Sequence, residues 1–154
     1  MNNFDQTVYY FAYGSNMSED QMSHRIPAAK KICSANIKDY QLVFDVPATY
    51  REGSVANIRS KPNSILWGVI WQIPAKYMSE LDRIEDLTTY DRKLVEITVK
   101  IEESIQCYIY KGKNPVEGLL PEKDYLEIIL QGAKQANLPE DYIKKLSQQK
   151  TLSS

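Results

Sequence analysis

The run Val8-Tyr9-Tyr10-Phe11-Ala12-Tyr13 passes directly into Gly14-Ser15-Asn16-Met17, and no other stretch constrains the chain as much. Six consecutive apolar or aromatic residues suit a buried strand. Glycine, serine and asparagine then favour a tight turn. Ser18 followed by Gln21 has the spacing of a capping box, and so, less closely, does Asn16 followed by Glu19; either marks a helix start. A buried strand thus empties into a loop whose amides, from Gly14 to Met17, are available to an anion, with a helix N-terminus beyond it. Gly14 permits both unusual backbone angles and close approach of a ligand. The same composition also serves an ordinary strand-to-helix turn, and no Gly-Lys-Ser/Thr follows to make a P-loop.

Further strands are predicted over residues 32–44, 54–58 and 65–73, the last rich in β-branched and aromatic residues. Residues 93–101 alternate, with Val95, Ile97, Val99 and Ile101 on one face. A turn at Glu102-Glu103-Ser104 returns the chain into a partner strand over 105–110. Helices are predicted over 75–85 behind Pro74, over 121–136, and over 139–148. Strands neither alternating regularly with long helices nor segregated from them indicate an α+β fold with a mainly antiparallel sheet, open or closed into a barrel. Residues 1–150 read as a single domain and 151–154 as a frayed tail.

Composition excludes several chemistries. With 154 residues, 43% of them hydrophobic, the chain can bury a core without disulfide support. Its net charge of −1 offers no basic surface for nucleic acid, and no apolar run is long enough for a membrane helix. The first six residues lack the pattern of a secretory signal, so a cytoplasmic location is expected. One histidine, His24, and two distant cysteines, Cys33 and Cys107, argue against a structural zinc site and against Ser–His or Cys–His nucleophile systems. Acid–base chemistry therefore falls to carboxylates, lysines or the eleven tyrosines, which can line a pocket and still donate hydrogen bonds.

One carboxylate stands out. On the 75–85 helix, Met78, Leu81 and Glu85 fall at i, i+3 and i+7, so Glu85 extends an apolar stripe while Asp82 is rotated away. A carboxylate turned inward loses hydration and becomes a stronger base. A helix-end glutamate turned towards water is the alternative.

Loop and carboxylate gain meaning together, because Tyr10-Phe11-Ala12-Tyr13-Gly14-Ser15-Asn16-Met17 resembles the signature of the γ-glutamylcyclotransferase family. Leu66–Trp71, Leu81-Asp82-Arg83-Ile84-Glu85, Tyr90, Cys107–Tyr110, Tyr125 and Gly132–Pro139 follow in the family's order, so the resemblance covers about residues 8 to 146. It implies a small, mainly antiparallel β-barrel flanked by helices. It also implies conversion of a γ-glutamyl amino acid or γ-glutamyl amine into 5-oxoproline and free amine, without a cofactor. Glu85 matches the family's catalytic glutamate as general acid and base. Tyr13, Gly14, Ser15 and Asn16 match the loop that binds the γ-glutamyl moiety, and Tyr108 and Tyr125 match tyrosines of its cavity. The partner expected is a small γ-glutamyl substrate, with neither nucleic acid nor membrane, and the family's frequent dimers make a homodimer an expectation too. Asp86 departs from the glycine that often follows the glutamate in the family. A binding module that keeps the γ-glutamyl pocket without catalysis is the alternative from another class.

Overall fold

The computed structural model describes residues 6–152. Its core is one five-stranded sheet built from β1 (Thr7–Ala12), β2 (Lys30–Pro47), β3 (Ser54–Pro74), β4 (Tyr90–Lys100) and β5 (Glu103–Gly112), in the order β2-β3-β1-β5-β4. Three of the four pairings are antiparallel, and β1 runs parallel to β5. The fold is α+β, as expected, but the sheet is not closed. Edge strands β2 and β4 approach each other without a hydrogen-bonded ladder, so the expected barrel is an open, curved sheet. Strands this long and twisted bring the edges together without completing a cylinder.

β1 lies at the centre, and its apolar run is the physical reason. Tyr10, Phe11 and Ala12 are all buried, because helices and strands cover both faces. On its neighbour, Val69, Ile70, Trp71 and Ile73 are likewise buried. The two segments predicted at 54–58 and 65–73 are one strand. Polar residues 59–64 looked like a break, yet they form the exposed end of a long ribbon with β2, where Asp39 Oδ1 accepts from the Asn63 amide at 2.9 Å.

Four helices pack around the sheet: α1 (Glu19–Arg25), α2 (Met78–Glu85), α3 (Lys123–Gln135) and α4 (Glu140–Ser147). Ser18 caps α1 by accepting from the Gln21 amide at 3.3 Å, as its spacing predicts. The first turn of the predicted 75–85 helix is a 3-10 turn, and α2 begins at Met78. None of these helices is long and apolar enough to cross a membrane. Beyond α4, the Leu152 amide donates to the Pro121 carbonyl at 3.0 Å. Residues 153–154, like most of the N-terminal segment read for a signal, lie outside the described residues.

α3 holds the loop after β1 in place. A Cβ at Gly132 would lie 2.5 Å from the Ser18 nitrogen and 2.7 Å from the Met17 Cβ, so only glycine lets the helix approach so closely. Gly132→Ala should therefore destabilise the fold by about 1–3 kcal/mol, although alanine favours helices. Thermal unfolding measures this, and an unchanged or raised melting temperature would count against the contact.

Candidate active site

Residues 13–17 turn away from the end of β1 through a 3-10 turn over Ser15–Met17. Gly14 has an ordinary negative φ of −113°, so its glycine is not required by a left-handed backbone. Close packing is the reason: a Cβ there would lie 3.1 Å from the Ala56 Cβ and 3.6 Å from the Tyr125 hydroxyl. The backbone N–H groups of Gly14, Ser15 and Asn16 have no acceptor among the described residues, while Met17 and Ser18 donate back to Gly14 and Ser15. Gly14, Ser15 and Asn16 line a cavity of about 290 Å³. That is close to the lower end of small-ligand sites.

Behind the loop, Trp71 on β3 donates its indole N–H to the Asn16 carbonyl at 3.0 Å. From α1, Arg25 and Gln21 donate to Asn16 Oδ1 at 3.0 and 3.1 Å, and Gln21 also reaches Ser15 Oγ. Asn16 is 3% exposed, so its polar side chain depends on these partners for satisfaction.

Glu85, the last residue of α2, lines the same cavity. Its Oε1 accepts from the Asn16 amide at 2.9 Å and from the Tyr10 hydroxyl at 3.3 Å. Oε2 takes no hydrogen bond among the described residues and remains open to the cavity. Burial pushes the Glu85 carboxyl above the ordinary glutamate range, against the opposing pull of the Arg25 charge and the Tyr10 hydroxyl. α2 is clamped one turn earlier through Asp82. Its carboxylate accepts from the Tyr110 hydroxyl of β5 and the Arg92 guanidinium of β4, each at 2.6 Å.

Five buried tyrosines surround the carboxylate: Tyr10, Tyr13, Tyr90, Tyr110 and Tyr125. Burial raises all five phenols well above their usual value, with the Glu85 charge adding to the effect. They are therefore neutral across the physiological range. Most of their protons are already committed: Tyr10 to Glu85, Tyr13 to the Tyr110 carbonyl, Tyr90 to the Ala56 carbonyl, and Tyr110 to Asp82.

Tyr13, Gly14, Ser15, Asn16 and Glu85, the sequence candidates, all line one cavity. Tyr125 stands behind its wall, accepting from the Ala56 amide at 3.0 Å. Tyr108 does not line it. It shares a strand face with Tyr110, but its ring lies 4.8 Å beneath the Arg92 guanidinium. Neither do Arg51, Glu52 and Arg92, which looked capable of shaping the far end. Arg51 stacks on Tyr50 and Tyr125, and the cavity lining includes Tyr50, Thr49 and Thr89 instead. His24 is exposed, and both cysteines are free thiols. Tyr10 and Arg25 were missed. The i, i+4 spacing of Gln21 and Arg25, which puts both on the loop-facing side of α1, was the available signal.

Asp86 carries φ 68°, a conformation glycine adopts freely, and glycine is the residue that the resemblance led one to expect there. The aspartate is accommodated because its own carboxylate accepts from the Thr88 amide at 2.9 Å and the Thr88 hydroxyl at 2.6 Å. These bonds hold the Asp86 carboxyl below its usual range and turn its charge towards the loop.

Because the folded-state pKa of Glu85 is raised, the native protein binds a proton at pH values where the unfolded chain has released it. Stability must then fall as pH rises from the unfolded glutamate value, about 4.3, through the folded one. Glu85→Gln should melt higher than the parent at neutral pH and lose that part of the pH dependence. Equal melting curves at all pH values would contradict the desolvated carboxylate.

The sequence and the fold match known proteins closely. The model of the AIG2-like family matches residues 65–146. Gamma-glutamylcyclotransferases of Bos taurus and Homo sapiens are each 32% identical, covering 92% of this chain and 78% of their own length. A solved gamma-glutamyl cyclotransferase superposes with a TM-score of 0.91 at 28% identity, covering 97% of this chain and 91% of the other. A loop of unused amides facing a desolvated glutamate, on this fold and with these relatives, places the chain in the γ-glutamylcyclotransferase family.

Proposed function

We propose that this enzyme converts γ-glutamyl amides into 5-oxoproline and a free amine, with Glu85 moving the protons. The observation that carries the reading is the single open carboxylate oxygen, Glu85 Oε2, in the cavity lined by the Gly14–Asn16 loop.

The chemistry follows from the residues. The substrate's α-amine attacks its own γ-carbonyl carbon. A carbon–nitrogen bond closes the five-membered ring, and the bond to the departing amine breaks. The attacking nitrogen must shed a proton, and the leaving nitrogen must gain one. Glu85 takes the first and returns it to the second. A free glutamate is a weak base at neutral pH; the desolvated one is stronger. The Gly14, Ser15 and Asn16 amides hold the α-carboxylate and fold the glutamyl chain so that amine and carbonyl meet. This positioning is worth several kcal/mol. Since four of the surrounding tyrosine protons are committed to protein acceptors, a loop amide is the better donor for the tetrahedral oxyanion. Tyr13 and Tyr125 shape the γ-glutamyl end. Tyr108 enters only indirectly, as the platform for the Arg92 that anchors Asp82.

Tyr50, Thr49 and Thr89 remain for the leaving amine. A role in glutathione breakdown, a cytoplasmic location and a homodimer belong to the same proposal. Two free thiols fit a reducing compartment. A module that only bound γ-glutamyl compounds would have no use for a desolvated carboxylate with an open oxygen.

Glu85→Gln should lose turnover by about 10²–10⁴-fold while still binding a non-cyclising γ-glutamyl analogue. Release of 5-oxoproline from γ-glutamyl dipeptides, glutathione and γ-glutamyl amines is the assay, and near-parental release by the variant would overturn the role of Glu85. Gly14→Ala, crowding Ala56, should instead raise KM with a smaller effect on kcat. An unchanged KM would reduce the loop to a turn.

A further inference from the structure

We propose that Arg25 is a positioning residue for proton transfer: through Asn16 Oδ1 it fixes the amide so that its NH₂ donates to Glu85 Oε1, leaving Oε2 to face the substrate. The inference rests on Glu85 as the proton-transfer residue and goes beyond it.

An asparagine amide has two faces of opposite character, and its neighbours decide which way it turns. On one side of Asn16 stand only donors, Arg25 at 3.0 Å and Gln21 at 3.1 Å. On the other stand the Glu85 carboxylate at 2.9 Å and the Tyr10 hydroxyl at 3.1 Å. Reversing the amide would set its oxygen against a carboxylate and its NH₂ against a guanidinium, losing the bonds to Glu85 and to Arg25. Gln21 alone could not enforce the orientation, because its own amide can turn over. Arginine has donors only and stays charged, so it cannot.

The consequence reaches the reacting atoms. With the amide fixed, Asn16 donates to Oε1, and the Tyr10 hydroxyl accepts from Asn16 and donates to the same oxygen. Oε1 is thereby occupied, and Oε2 is left as the proton acceptor. Arg25 acts a second time through its charge. The titratable groups facing Glu85 are Tyr10 and Tyr13 from β1 and its loop, Tyr90 from β4, Tyr110 from β5, Tyr125 from α3, and Arg25 beside α1's end. Its chain neighbours Arg83 and Asp86 are turned to Glu80 and to Thr88. The tyrosines are neutral, so Arg25 is the cation among these groups that favours ionised Glu85. The arginine therefore keeps a desolvated carboxylate able to accept a proton at neutral pH.

The test compares Arg25→Met and Arg25→Lys with the parent by two readouts: the pH profile of kcat/KM for 5-oxoproline release, and the carboxyl-carbon titration of Glu85 in ligand-free protein. The latter uses carbon-13 glutamate labelling, with the Glu85→Gln spectrum assigning the signal. Arg25→Met should move both the acidic limb and the Glu85 midpoint upward by about one pH unit, lowering the rate on that limb about tenfold. Arg25→Lys should restore most of the midpoint, since it keeps the charge, but recover kcat only in part, since it cannot reproduce the planar fork. An unmoved midpoint in folded Arg25→Met would overturn the proposal, as would a rise in KM alone, which would make Arg25 a substrate contact. Should Glu85→Gln itself keep normal turnover, the role of Glu85 fails first, whatever Arg25 does to the titration.

Discussion

The hydrogen bond from Asn16 to Glu85 joins two parts of the chain 69 residues apart, and the site depends on it. One partner sits where the central strand ends; the other is the last residue of a short helix. Neither element could place its group alone. The loop is held from behind by Trp71, from the side by Arg25 and Gln21, and from below by α3 at Gly132. The helix is held by Asp82, which Tyr110 and Arg92 grip from two strands of the sheet. Rigid scaffolding on both sides lets one bond of 2.9 Å fix the relation between the Gly14–Asn16 loop and the desolvated carboxylate.

Around that bond the protein opposes two forces. Burial raises the energy of the Glu85 carboxylate, while Arg25 and Tyr10 lower it. A wholly apolar surround would leave the group protonated, and a fully solvated one would leave it a weak base. Tyrosine is suited to building such a surround, because its ring excludes water while its hydroxyl satisfies a buried acceptor. The fold uses these phenols largely as struts: Tyr13 and Tyr90 tie the loop and β4 to carbonyls across the cavity, and Tyr110 ties β5 to α2.

Much of this was legible in the sequence. The β1 strand and its turn followed from an unbroken apolar run ending in Gly-Ser-Asn, and the inward face of α2 followed from i, i+3, i+7 spacing. The α+β class followed from element order. What escaped had local causes. The polar stretch at 59–64 resembles a loop because an exposed ribbon needs no apolar side chains; its partner strand supplies the hydrogen bonds. The barrel that the resemblance implied is an open sheet here, and sheet closure depends on strand curvature, which periodicity does not encode. Tyr108 and Tyr110 share a face, so alternation could not say which of them meets the cavity; Arg92 lies over the first. Asp86 looked like a departure from a required glycine, yet Thr88, two residues on, supplies the compensating bonds.

The indole of Trp71 gives the protein an optical reporter of its own. Of the two tryptophans, Trp71 is 4% exposed and bonded through its N–H to the Asn16 carbonyl, on the same loop that lines the cavity. Its emission is therefore coupled to the electrostatic field of that loop. An anion bound to the amides as proposed would alter this field without touching the ring. Occupancy of the cavity would then be encoded in the fluorescence of the unlabelled chain, and the binding step could be followed apart from the chemistry.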